Sequence, residues 1–209
     1  MAALALLEFE TVAGGVAAAD TMVKRAPIAL LRCGTVHPGR FLVLVGGSVA
    51  STEEAYRAGV DRGESERTLR DCVLLPDVHP GLSTAVLGAR GELSGEALAV
   101  IETTASPALL AAVDAALKST SVAIGEVRLA DDLGGRAVAF LSGTLTAIDS
   151  ALEICTERAG NQLLTSARLP RLDDNLRQLL AQGSAFAACP NFEPTGAEHP
   201  EELPCSWGE

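Results

Sequence analysis

Apolar residues fall in short runs and at helical spacing from the start of the chain. Leu4 to Phe9 is a short apolar strand, and Val12, Val16, Ala19, Val23 and Ala26 then recur at the spacing of an amphipathic helix that Pro27 ends. Ile28 to Val36 and Phe41 to Val45 read as two strands, with His37-Pro38-Gly39-Arg40 as a hairpin tip between them. A second helix runs to about Arg62. Ser48 or Ser51 caps it, and Glu54, three residues after Ser51, completes a capping box. Cys72 to Leu75 predicts a buried strand stopped by Pro76, and Ser83 to Leu87 a short helix.

This pattern occurs twice. Ala3-Leu4-Ala5-Leu6-Leu7-Glu8 returns as Ala97-Leu98-Ala99-Val100-Ile101-Glu102, and at the same offset Asp20 meets Asp114, Lys24 meets Lys118 and Ile28-Ala29-Leu30 meets Val122-Ala123-Ile124. After a two-residue insertion Gly39-Arg40 meets Gly135-Arg136 and Gly47 meets Gly143. The expected organisation is therefore a first domain over 1–87, a linker over 88–96, a second domain over 97–182 and a tail over 183–209. Three glycines and three charges without an apolar period give the linker the composition of a solvated segment. The tail, with Pro190, Pro194, Pro200 and Pro204 among glutamates, has the composition of a disordered one.

Composition narrows the function. Of 209 residues 48% are apolar and only 3% aromatic, so the cores are built from Ala, Leu and Val, which suits helices lying close on a sheet. A net charge of −11 argues against nucleic acid as a partner. Ala2 to Leu7 is too short for a membrane span and has no basic residues before it, which points to a cytosolic protein with no membrane partner. Five cysteines without a C-x-x-C pair argue against a disulfide scaffold or zinc ribbon, and most are expected to be reduced and buried.

The strand and helix order, the opening Ala-Leu-x-x-x-Glu, the helix ending Met22-Val23-Lys24-Arg25-Ala26 and the Gly-Gly-Ser-Val turn together resemble the bacterial microcompartment shell domain. Two tandem, unpermuted copies resemble its trimer-forming class, exemplified by the tandem shell protein of propanediol-utilisation compartments. The resemblance implies an α/β chain of α+β, ferredoxin-like type, with a mainly antiparallel four-stranded sheet and helices in each domain. It also implies a homotrimer that forms a pseudohexameric tile, packs edge to edge with other shell proteins in the bacterial cytoplasm and passes small metabolites through a central pore. Lys24 and Lys118 match the family's edge lysine. Pro170-Arg171 and Pro76-Asp77-Val78-His79 each keep half of its Pro-Arg-Pro-His edge motif, so Arg171 and His79 become edge residues and the six edges become inequivalent.

The same resemblance puts the hairpin tips at the pore: His37, Pro38 and Gly39 from the first unit, Asp131, Asp132, Leu133 and Gly134 from the second. In the propanediol-utilisation relative the matching turn carries a cysteine whose three copies hold an iron–sulfur cluster. Here His37 stands in that turn, and Cys33, earlier on the strand, is expected to point into the sheet layers. No cofactor is expected. Three copies of His37 would nonetheless suit a zinc-like ion, or give a ring whose charge changes near neutral pH. Asp131 and Asp132 would make the mouth acidic unless Arg40 and Arg136 neutralise them.

No catalytic constellation stands out. Gly46-Gly47-Ser48-Val49-Ala50 lacks the last glycine of a nucleophile elbow, no phosphate-cradling loop occurs, and no two histidines share a metal-ligand spacing. Cys189 and Cys205 have no adjacent cation to activate them. The leading reading is a structural shell tile and not an enzyme. The alternatives are a metal- or redox-cofactor protein that uses the His37 ring, and a ligand-binding regulator of ferredoxin-like fold. A mean hydropathy of +0.26 implies that neighbouring chains cover part of the surface.

Overall fold

A computed structural model describes residues 2–190 and 194–195. The first half runs β1 (Ala3–Phe9), α1 (Val12–Arg25), β2 (Leu30–Val36), β3 (Arg40–Gly47), α2 (Val49–Ser65), β4 (Leu69–Leu75) and α3 (Pro80–Val86). The second repeats it as β5 (Ala97–Thr103), α4 (Ser106–Ser119), β6 (Ala123–Leu129), β7 (Ala137–Gly143), α5 (Leu145–Ala159), β8 (Leu163–Leu169) and α6 (Asp174–Ala181). Each half folds a four-stranded antiparallel sheet, in the orders β2-β3-β1-β4 and β6-β7-β5-β8. The register repeats with the sequence: Ala3 faces Gly47 and Phe9 faces Phe41, while Ala97 faces Gly143 and Thr103 faces Ala137. β1 is buried at all seven positions, which is why its run of apolar residues has no alternation.

Helix α1 forms where its spacing predicts, with Thr11 capping Gly14 N–H, but it buries a different face. Gly14, Gly15, Ala18, Ala19 and Met22 turn inward, and Val12, Val16 and Val23 are exposed. Close approach to the sheet selects the small residues: a Cβ on Gly15 would lie 2.4 Å from the Phe41 ring. At α2 the N-cap is Ser48, whose hydroxyl accepts from Ser51 N–H. The expected capping box is absent, because Glu54 instead takes the Arg25 guanidinium at 3.0 Å.

One core cluster joins the two halves. Leu4, Leu6 and Leu44 of the first sheet belong to the same buried group as Leu109, Leu110 and Val113 of α4 and Ile148 of α5. A second cluster fills the space between the first sheet and α1 and α2, with Leu7, Phe9, Met22 and Val43.

The segment expected to be a solvated linker is exposed at most of its positions but is anchored at Leu93 and by backbone contacts. Leu93 is 5% exposed and sits with Leu98 and Leu172, and Gly91 N–H donates to Gly125 O at 2.9 Å, at the bulge of β6. Arg177 of α6 donates to the carbonyls of Leu93 and Gly95, and Arg90 pairs with Glu126 at 3.2 Å. The glycines here serve contact: a Cβ on Gly91 would stand 2.1 Å from Ile124 O. The start of the tail is also ordered, with a 3-10 turn at Phe186–Ala188 and Ser184 N–H donating to Glu126. Cys205, His199 and most of the Pro/Glu-rich stretch lie outside the described residues. Among the described residues no helix is long and apolar enough to cross a membrane.

Candidate pore tips, seam and edges

The two hairpin tips lie side by side. In the first, Gly39 N–H closes the turn on Val36 O at 3.0 Å with Gly39 at φ 90°, a conformation that favours glycine. In the second, Gly134 and Gly135 at φ 61° and 82° turn the chain back after Asp132. His37 Nδ1 and Asp132 Oδ1 stand 3.9 Å apart, both in solvent. No acidic residue adjoins His37 in sequence, but the fold supplies one from 95 residues away. Among the described residues one chain brings together no group of three metal-ligating side chains.

Arg40 does not neutralise the acidic tip. Its guanidinium turns inward and donates to Glu8 at 2.9 Å and to Gly135 O at 3.1 Å, tying the first unit's strands to the second unit's hairpin. Arg136, its counterpart, is exposed and without an ion pair among the described residues.

Below the tips a seam of buried charge joins the two units. Helix α4 has no side-chain cap of its own at Ala105. Glu8, with no exposed surface, accepts from Ser106 N–H at 2.8 Å, so a carboxylate of the first unit caps the second unit's helix, while Asp71 accepts from its neighbour Cys72 N–H at 2.9 Å. Arg70 completes the network, with Glu10 at 2.8 Å, Glu8 at 3.5 Å and the Thr104 carbonyl at 3.3 Å. Burial raises the pKa of Glu8 above its ordinary value even against these donors and arginines, and burial raises that of Asp71 too. Sequence reading missed this seam. Its one signal was a glutamate repeated inside an apolar strand, at Glu8 and Glu102.

The four expected edge residues separate into two settings. Lys24 is exposed at the end of α1 and pairs with Asp20 at 2.7 Å, and Arg171 is exposed just before α6. Lys118 instead pairs with the buried Asp114 at 2.6 Å, whose other oxygen accepts from His79 N–H at 2.8 Å. The His79 ring caps α3 through Gly81 N–H. Lys118 and His79 therefore meet at the seam through one aspartate.

The cysteines differ from expectation. Cys33 is exposed because β2 is an edge strand, Cys72 and Cys189 are half-buried, and only Cys155 is fully buried among those described. Burial pushes the Cys155 thiol up to about 12, leaving it inert.

The family profile for the BMC domain matches this chain twice, over residues 3–78 and 97–172. The chain is 28% identical over 183 residues to the bacterial microcompartment shell protein PduT of Citrobacter freundii, covering 87% of this chain and 98% of that protein. It is 27% identical over 192 residues to the carboxysome assembly protein CcmO of Synechocystis sp., covering 85% of this chain and 64% of that one. Among solved structures, a microcompartment protein from Desulfitobacterium hafniense superposes with a TM-score of 0.74 at 30% identity, over 85% of this chain and 99% of that one. The fused permuted hexameric shell protein MSM0275 shares the fold, with a TM-score of 0.51 at 18% identity over 75% and 83% of the two chains. Twin sheets with one register, a duplicated sequence and these matches lead to one conclusion: the chain belongs to the BMC-domain family, as a tandem-domain shell protein of bacterial microcompartments.

Proposed function

We propose that three copies of this chain close into a ring of six domains, a flat tile of a microcompartment facet in the bacterial cytoplasm. One observation carries this reading. Within a chain the second unit docks α4 on β4 of the first and buries Ser106, Leu110 and Leu117, while their counterparts on α1, Val12, Val16 and Val23, remain exposed. The surface matching β4 is β8, whose five middle residues are all exposed. The free α1 face and the free β8 face are thus the two halves of a second seam, and repeating the internal docking joins chains head to tail until the ring closes.

In that ring the hairpin tips line a central opening. Arg40 is withdrawn into the seam, so Asp131 and Asp132 keep their charge there, which favours neutral polar metabolites or cations over anions. Lys24 and Arg171, both exposed, are the residues that meet other shell proteins edge to edge. The reading assigns the chain no catalytic role and no cofactor. The alternative of a metal or redox centre at His37 has less behind it, since one chain offers a single imidazole and a single carboxylate there.

Native mass spectrometry of the intact protein tests the assembly. The expected species is three times 21.5 kDa, about 64.5 kDa, and a stable monomer overturns the tile. Lys24→Asp is expected to keep the trimer and lose extended sheets in electron micrographs; sheets like the parent's would remove Lys24 from the edge.

A further inference from the structure

A cavity of about 470 Å³ lies between the two units, a volume typical of small-molecule sites. Its floor is the face of the first sheet turned away from α1 and α2, made by Leu6, Leu42 and Leu44, with Val127 and Leu129 of β6 along one side. Three arginines reach its rim. Arg90 is held by Glu126 and the Gln182 carbonyl, and Arg128 by Ser184 Oγ and the Asp131 carbonyl, both at 3.2 Å. Arg32 is different. It lies directly opposite Leu44 in the register, so its side chain is on the cavity face, and it is exposed without an ion pair among the described residues. Glu126 is taken up by Arg90 and by Ser184 N–H, and the Asp131 carboxylate stands in solvent at the hairpin end of the rim.

The duplication supplies an internal control. In the second unit the corresponding crevice is closed by Leu93 from the preceding segment, packed with Leu98 and Leu172, and Phe140 stands where the first unit has Leu44. In the first unit Gly34 stands where the second has Arg128, and a Cβ at Gly34 would meet nothing within 4 Å. The space is therefore particular to the first unit and is not a general consequence of the fold.

We propose that this cavity binds a small amphipathic monoanion, a carboxylate on a short aliphatic chain, with the chain on the leucine floor and the carboxylate on Arg32. The leucines offer no polar partner, so a ligand polar along its length loses its hydration without replacement. The one rim guanidinium without a partner among the described residues, that of Arg32, selects a planar anion through a charge-assisted, forked hydrogen bond. The site lies within a single chain and does not rest on the trimer.

Calorimetric titration of hexanoate into the full-length protein, with hexan-1-ol as the uncharged match, tests this. Hexanoate is expected to bind about tenfold more tightly than hexan-1-ol, and Arg32→Gln to remove that preference while leaving hexan-1-ol unchanged. Gly34→Phe is expected to abolish both by filling the space, with circular dichroism and native mass as in the parent; Gly34→Leu serves if the phenyl variant misfolds. Equal binding of the two probes overturns the anion assignment. Hexanoate binding that survives both Gly34 variants, or no binding to the parent at about 10 mM, overturns the site.

Discussion

Helices α1 and α4 hold the same place in the repeat and live in opposite surroundings. Ser106, Leu110 and Leu117 of α4 are 0%, 0% and 6% exposed, whereas Val12, Val16 and Val23 of α1 are 39%, 51% and 40% exposed. The two sequences are both apolar enough to be covered, but only α4 has its cover within the chain. An exposed valine stripe is ordinarily unremarkable in isolation. Here the covered counterpart on α4 is the ground for proposing the stripe as a docking face.

The sharpest way to break the comparison is a charge on each helix. Leu110→Asp is expected to cost more than about 4 kcal/mol and to leave no cooperative urea transition, because it buries an unpaired carboxylate. Val16→Asp, at the matching position, is expected to keep the parent's transition and to shift the native mass from three chains to one. A folded Leu110→Asp chain, or a trimeric Val16→Asp, would erase the distinction between the helices.

Next come the carboxylates under them. Glu8→Ala strands Arg40 and Ser106 N–H and is expected to cost about 3–5 kcal/mol in urea unfolding, as removal of one partner from a buried charge network does. Glu102→Ala, whose carboxylate lacks such partners among the described residues, is expected to cost about 1 kcal/mol or less under conditions that keep the protein monomeric. Similar losses would mean that the seam is no more built than the free face.

Gly15→Ala is expected to cost about 1–3 kcal/mol, since the new methyl meets the Phe41 ring. The same helix position in α4 is Leu109, fully buried, so the helices also differ in how closely they approach their sheets. A neutral Gly15→Ala would show that α1 has room to move outward.

The smallest effect is the pH dependence of the seam. Glu8 and Asp71 have folded pKa values raised above 4.5 and 3.8, so over the window above those values the folded chain binds more protons than the unfolded one. Their contribution to stability therefore rises as pH falls from 7 toward 5. The urea midpoint is expected to increase over that range, and to increase less in Glu8→Gln; an identical slope in the variant would remove Glu8 as the source.

Much of the architecture is legible in the chain because it is written twice. The unbroken β1 run, the Pro-Gly tip and the repeat offset each correspond to an observed element, and the hairpin tips do lie together. What periodicity does not carry is which side of a helix meets the sheet: Val16 is the better hydrophobe, yet Gly15 and Ala18 are buried because only they allow the approach. Composition reads the exposure of residues 88–96 but not their anchoring, for a related reason. Glycine looks flexible in a sequence, while Gly91 and Gly95 are there to touch backbone across the chain. Contacts between residues far apart, such as His37 with Asp132 and Glu8 with Ser106, leave no local spacing to be found. The cap at Ser48 was ambiguous with Ser51, since both hydroxyls suit a helix start.

In the tile proposed above, the bond from Arg40 to the Gly135 carbonyl would have a mechanical meaning. It fastens the base of one hairpin to its neighbour in the same chain, while in the proposed ring the hairpin on the other side would belong to a different molecule. Six loops in such a ring would behave as three linked levers, and widening of the aperture would follow a threefold, triangular distortion in place of a uniform sixfold dilation.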